Sequence, residues 1–94
     1  MRGLVIKDME FDCGMYEASE SIPAGSMKEY IIAFNKTFTQ QPIVVANTVG
    51  TFNPATELSP CNVSYISTNT FRVRIYNYYS SALTPKICWM ASLI

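Results

Sequence analysis

The chain has 94 residues, seven Lys and Arg against seven Asp and Glu, no His, and 49% hydrophobic with 13% aromatic content. Zero net charge with only 15% charged residues leaves no basic stripe to neutralise a phosphate backbone, which excludes nonspecific nucleic-acid binding, and the lack of His removes Ser–His and Cys–His nucleophile pairs and the commonest metal ligand. The length fits a single domain, 1–94, burying roughly 60 to 68% of its unfolded surface; the composition is too apolar for disorder, and no run of about 18 apolar residues exists to span a membrane.

Period-2 runs rich in β-branched and aromatic residues recur between turn clusters, and no helical period is sustained, so the chain reads as all-β. The first extended stretch is 4–13, with Asp8, Glu10 and Asp12 alternating with Met9, Phe11 and Cys13 and Gly14 ending it. These three acids read as a solvated strand face rather than a Ca²⁺ site. Ser19 to Ser26, carrying Pro23-Ala24-Gly25, reads as a loop because Pro fixes φ and Gly supplies φ above zero. The second strand is Lys28 to Phe34, and Gln41-Pro42 opens a third, Ile43 to Val49, a nearly continuous apolar run expected where both faces are covered. Gly50 to Pro60 is a turn-rich loop.

Asn62 to Ser67 reads as strand four, Thr68-Asn69-Thr70 as a tight turn, and Phe71 to Tyr78 as strand five. In that strand Phe71, Val73, Ile75 and Asn77 share one face, and Arg72, Arg74, Tyr76 and Tyr78 share the other. Ser80 to Pro85 turns the chain into strand six, Lys86 to Ile94, with Ile87, Trp89, Ala91 and Leu93 on a single face. Short connections between strands predict a six-stranded antiparallel β-sandwich. Strands three and six are apolar on both faces, more than one inner layer can hide, so part of that surface is expected between protomers of a closed assembly, a homotrimer by preference, though the pattern alone fits a dimer equally.

Cys13, Cys61 and Cys88 have no C-x-x-C spacing, and an odd number cannot form a closed disulfide framework, so all three are expected as free thiols, with no metal and no cofactor. The opening Met1 to Lys7 has too short an apolar run for a signal peptide, pointing to assembly in a cytoplasm. Six of the seven acids lie before residue 30, and 22 of the 65 residues from 30 onward are Ser, Thr, Asn or Gln. A neutral surface of hydroxyls and amides offers directional hydrogen bonds, which suits sugars or homomeric packing. A glycosidase needs two carboxylates across a cleft, and after residue 30 only Glu57 remains, so no enzyme is expected.

Four segments resemble the H-type lectin domain of snail agglutinins and of many bacteriophage tail fibres. They are Glu10-Phe11-Asp12-Cys13-Gly14; Ile32-Ala33-Phe34 with Phe38 and Gln41-Pro42-Ile43-Val44-Val45; Val63 to Phe71; and Ile87-Cys88-Trp89-Met90-Ala91. The run Phe71 to Ser81, a Thr84-Pro85 turn and Trp89 near the end look most like C-terminal domains of phage and prophage tail proteins. The resemblance implies a trimeric sandwich with sugar sites at protomer boundaries, on a virion tail, joined to the rest of a fibre or baseplate. The family's sugar contacts then fall on Tyr78, Tyr79 and Asn62. An acidic contact of the family meets Ala24 or Gly25 instead, and its second disulfide Cys meets Ile75, so N-acetylgalactosamine specificity does not carry over.

From the residues themselves, Tyr78 and Tyr79 offer a stacking surface beside the Asn77 amide, and Arg74 on the ladder with Tyr76 can grip anionic groups. The expected carbohydrate-binding set is therefore Tyr78, Tyr79, Asn62, Arg74 and Asn77, for a cell-surface glycan. The other reading is a purely structural trimerisation or fibre-capping domain.

Overall fold

The computed structural model describes residues 10–93. Six strands follow in order: β1 (Phe11–Glu17), β2 (Met27–Ala33), β3 (Ile43–Thr48), β4 (Asn62–Ser64), β5 (Thr70–Tyr76) and β6 (Lys86–Ser92). All pairings are antiparallel, and they form two three-stranded sheets, β1-β6-β3 and β2-β5-β4. The antiparallel sandwich expected from the alternation is thus the observed architecture.

The core is where the two alternations meet. Phe71, Val73 and Ile75 of β5 and Ile87, Trp89 and Ala91 of β6 are all buried, as are Tyr30 and Ile32 of β2. The indole of Trp89 lies edge-on to Phe34 and Phe71, with ring centroids 5.5 and 5.6 Å away, and Phe38 closes the group edge-on to Phe34 at 5.0 Å. Each such buried side chain contributes on the order of 1.5–3 kcal/mol, and this cluster joins one sheet to the other. At the far end Ile22 and Leu83 pair across an isolated bridge, and Leu58 does the same with Asn77.

Several strand limits differ from those read off the sequence. Residues 4–9, with Asp8 and Met9, and Ile94 lie outside the described residues. β1 does not stop at Gly14 but passes through it to Glu17. The glycine marks a close approach: a Cβ there would stand 2.8 Å from Cζ2 of Trp89, so the absence of a side chain lets the indole lie against the strand. Gly25 serves a different need, taking φ 68° in a turn closed by Ser26 N–H to the Pro23 carbonyl at 3.1 Å. β4 ends early because Tyr65 enters the left-handed region at φ 48°, and β5 ends at Tyr76, leaving Tyr78 and Tyr79 beyond the strand.

Of the acids expected on a solvated face, Glu10 and Asp12 are instead tied down. Asp12 accepts from the backbone and side-chain amides of Asn35 at 2.7 and 3.0 Å, and from the Cys13 N–H at 2.9 Å. Glu10 accepts from the Thr39 N–H and hydroxyl and lies 3.5 Å from Lys36 Nζ. Both carboxylates therefore fasten the start of β1 to the loop after β2. Burial pushes the Asp12 carboxyl up, but the Asn35 and Cys13 bonds and Lys36 outweigh it and hold it below its ordinary range.

Candidate functional site

The two sheets present very different outer faces. Across β1-β6-β3 the outward rows are Phe11–Ser92–Ile43, Cys13–Met90–Val45 and Met15–Cys88–Asn47. Phe11, Met15, Ile43, Val45 and Met90 are each more than half exposed, and the face dips into a shallow groove of about 410 Å³ between Met15, Val45 and Met90. Cys13 and Cys88 open onto it as free thiols. The third thiol, Cys61, is half-buried, and burial with the nearby Cys88 pushes it up to about 11. The outward side chains of β3 and β6 foreseen as a seam thus lie side by side on one sheet.

The outer face of β2-β5-β4 carries aromatic and hydrogen-bonding groups, with the exposed Ile31 and Met27 among them. The register sets Glu29 of β2 opposite Arg74 of β5, and Arg74 opposite Asn62 of β4. Arg72, one step along, faces Ser64 and Ile31. Glu29 sits between the two guanidiniums, 3.4 Å from Arg72 Nη1 and 3.3 Å from Arg74 Nε. The Arg72 guanidinium lies 4.8 Å from the centroid of Tyr65, whose side chain is 67% exposed. Farther along, the rings of Tyr76 and Tyr78 are stacked at 5.7 Å with 6° between planes.

Of the five expected sugar contacts, Arg74 and Asn62 are brought together as register partners, and Tyr78 and Tyr79 stand exposed past the end of β5. The two groups are about 13 Å apart along the strand direction, with Tyr76 between, so they line an extended path rather than one pocket. Asn77 has a different position from the expected one. It is fully buried, its amide donates to the Ile22 carbonyl at 2.8 Å and the Ser81 carbonyl at 2.9 Å, and its carbonyl oxygen accepts from the Tyr79 N–H at 2.8 Å. With every side-chain polar atom engaged it has nothing to offer a sugar; it fixes the turn that presents Tyr78 and Tyr79.

Glu29 and Tyr65 belong to this face and were not singled out from the sequence. Glu29 joins it only through the β2–β5 register, which no local pattern encodes, and Tyr65 only because the strand stops short. The Ser64 hydroxyl oxygen, in the row of Arg72, is buried without a hydrogen-bond partner among the described residues. No cluster of three metal-ligating side chains occurs among the described residues.

The fold is shared with solved structures of pyocin tail fibres. The structure of an N-truncated R1-type pyocin tail fibre superposes with a TM-score of 0.72 at 18% identity, over 92% of this chain and 71% of that one. The structure of a C-terminal portion of the P. aeruginosa R1 pyocin fibre gives 0.68 at 15%, over 92% of this chain and 23% of that one. No family model and no curated protein matches the chain.

Proposed function

We propose that the chain is a noncatalytic host-recognition domain of a phage or prophage tail fibre, binding a cell-surface glycan as a homotrimer on the virion tail. The contrast between the two outer faces carries this reading. An apolar face on β1-β6-β3 suits packing against copies of itself, while Arg74, Asn62, Tyr65, Tyr76 and Tyr78 on β2-β5-β4 offer rings and hydrogen-bonding groups to solvent. The shared fold with pyocin tail fibres, and the resemblance of the first strand, the strand-five run and the closing Trp89 strand to H-type lectins, support a place at a fibre end.

The closed state of Asn77 favours a second reading, a structural trimerisation or fibre-capping domain, since it removes the amide from the strand end where a sugar was expected. A glycan array and a cell-wall pull-down with the full chain separate the two. Retention on specific glycans is expected; silence on every glycan and wall preparation supports the structural role and overturns the lectin reading.

A further inference from the structure

The outer face of β2-β5-β4 carries two cations and a single carboxylate that divides itself between them. Each contact to Glu29 is a single, long one, 3.4 Å to Arg72 and 3.3 Å to Arg74, so neither guanidinium makes the paired fork that a committed Arg–carboxylate bridge uses. A guanidinium has five N–H donors, and neither arginine donates to any other described residue. Their side chains are 41% and 47% exposed. The one lysine of β2, Lys28, is taken up by Glu20 at 2.7 Å and leaves this balance unchanged. Two positive charges against one negative leave the face one positive charge over.

The arginines are also held in place. Arg72 lies over the Tyr65 ring, and Arg74 is flanked in register by Glu29 on one side and the exposed Asn62 amide on the other. A ring-stacked guanidinium loses little freedom on binding an anion, and a neutral amide beside it gives hydrogen bonds to hydroxyls. From this geometry we infer that the glycan bound on this face is anionic, a polymer of sugars bearing carboxylate or phosphate groups, and that Glu29 occupies the anion's place until the ligand displaces it. This deepens the glycan-binding reading and rests on it.

The test measures binding of the full chain to three polymers: alginate for carboxylate, glycerol-phosphate wall teichoic acid for phosphate, and dextran as the neutral arm. Alginate, teichoic acid or both should bind, dextran should not, and raising ionic strength from about 0.05 to about 0.5 M should weaken the binding. Arg74→Ala should lower affinity about tenfold or more with the assembly intact. Glu29→Gln removes the internal competitor and should raise affinity about two- to fivefold, a gain that misfolding cannot imitate. Dextran binding as well as the charged polymers, insensitivity to salt, a Glu29→Gln variant no tighter than the parent, or an assembly that dissociates on Arg74→Ala each overturns the inference while leaving a glycan-binding domain. No retention on these polymers or on a glycan array overturns both.

Discussion

Two backbone segments converge on the amide of Asn77, and this single side chain bonds to Ile22 in one and to Tyr79 and Ser81 in the other with no exposed surface. Asn77→Ala removes three hydrogen bonds made by a fully buried side chain, leaving the Ser81 carbonyl and the Tyr79 N–H without their partner while the Ile22 carbonyl keeps the Leu83 N–H, and it should cost about 1–3 kcal/mol in denaturant unfolding. Asn77→Asp should also destabilise, because a carboxylate cannot donate to the Ile22 and Ser81 carbonyls. Gly14→Ala acts through volume: its Cβ would meet the buried Trp89 ring at 2.8 Å, and overpacking of this kind costs about 1–3 kcal/mol, read as a lower midpoint with an unchanged slope. Asp12 supplies a pH dependence. Its carboxyl is held below its ordinary value of 3.8, so the unfolded chain binds the proton first; its stabilisation is complete above that value and is lost as pH falls through the lower folded one. Thermal unfolding of the parent should weaken below about pH 4, and Asp12→Asn should be less stable at neutral pH with a flatter acid limb.

At the level of elements, β5 was the most legible. Its alternation of Phe71, Val73, Ile75 and Asn77 against Arg72, Arg74, Tyr76 and Tyr78 is the observed partition between core and solvent, because a half-buried strand writes its two faces directly into a period of two. The same alternation already placed Asn77 inside; its position next to Tyr78 and Tyr79, with an amide suited to hydroxyls, is what made it read as a sugar contact. β1 was less legible since Gly14 has the local signature of a stop, and what makes it mid-strand is an indole from residue 89. The Glu29–Arg74–Asn62 row was illegible for the same kind of reason: a register joins residues 29, 74 and 62, and sequence neighbours say nothing of it. The sheet β1-β6-β3 makes its own prediction through its thiols. Cys13 and Cys88 lie on the apolar outer face, whereas Cys61 is shielded by burial. In a native assembly closed over that face, iodoacetamide should modify none of the three quickly. In a dissociated but folded chain Cys13 and Cys88 should react and Cys61 should not, as mass spectrometry of the intact protein would show. Rapid modification of Cys13 and Cys88 in the native assembly would place the protomer contact elsewhere.

For the whole molecule, the two faces set two levels of binding. One protomer offers a shallow, exposed path along β2-β5-β4, the kind of surface that holds a sugar chain weakly, and joining three copies through the opposite sheets would point three such paths outward. Assembly and retention on a polymeric glycan are then coupled, since the second and third sites engage at high effective concentration once the first is bound. Val45 occupies the central row of the apolar face with Met90 and Cys13, and it is 54% exposed within a protomer, so Val45→Asp costs the isolated fold little while placing a charge at the contact proposed between copies. The parent should sediment as a trimer at micromolar concentration and Val45→Asp as a folded monomer with the same circular dichroism. For a short oligosaccharide the two should have equal affinity, because the site on β2-β5-β4 is untouched. On an immobilised polymer the monomer should lose about 100-fold or more in apparent affinity, the scale of avidity for linked sites. A Val45→Asp variant that stays trimeric would remove the apolar face from the assembly, and a parent chain that remains monomeric would leave each protomer to bind alone.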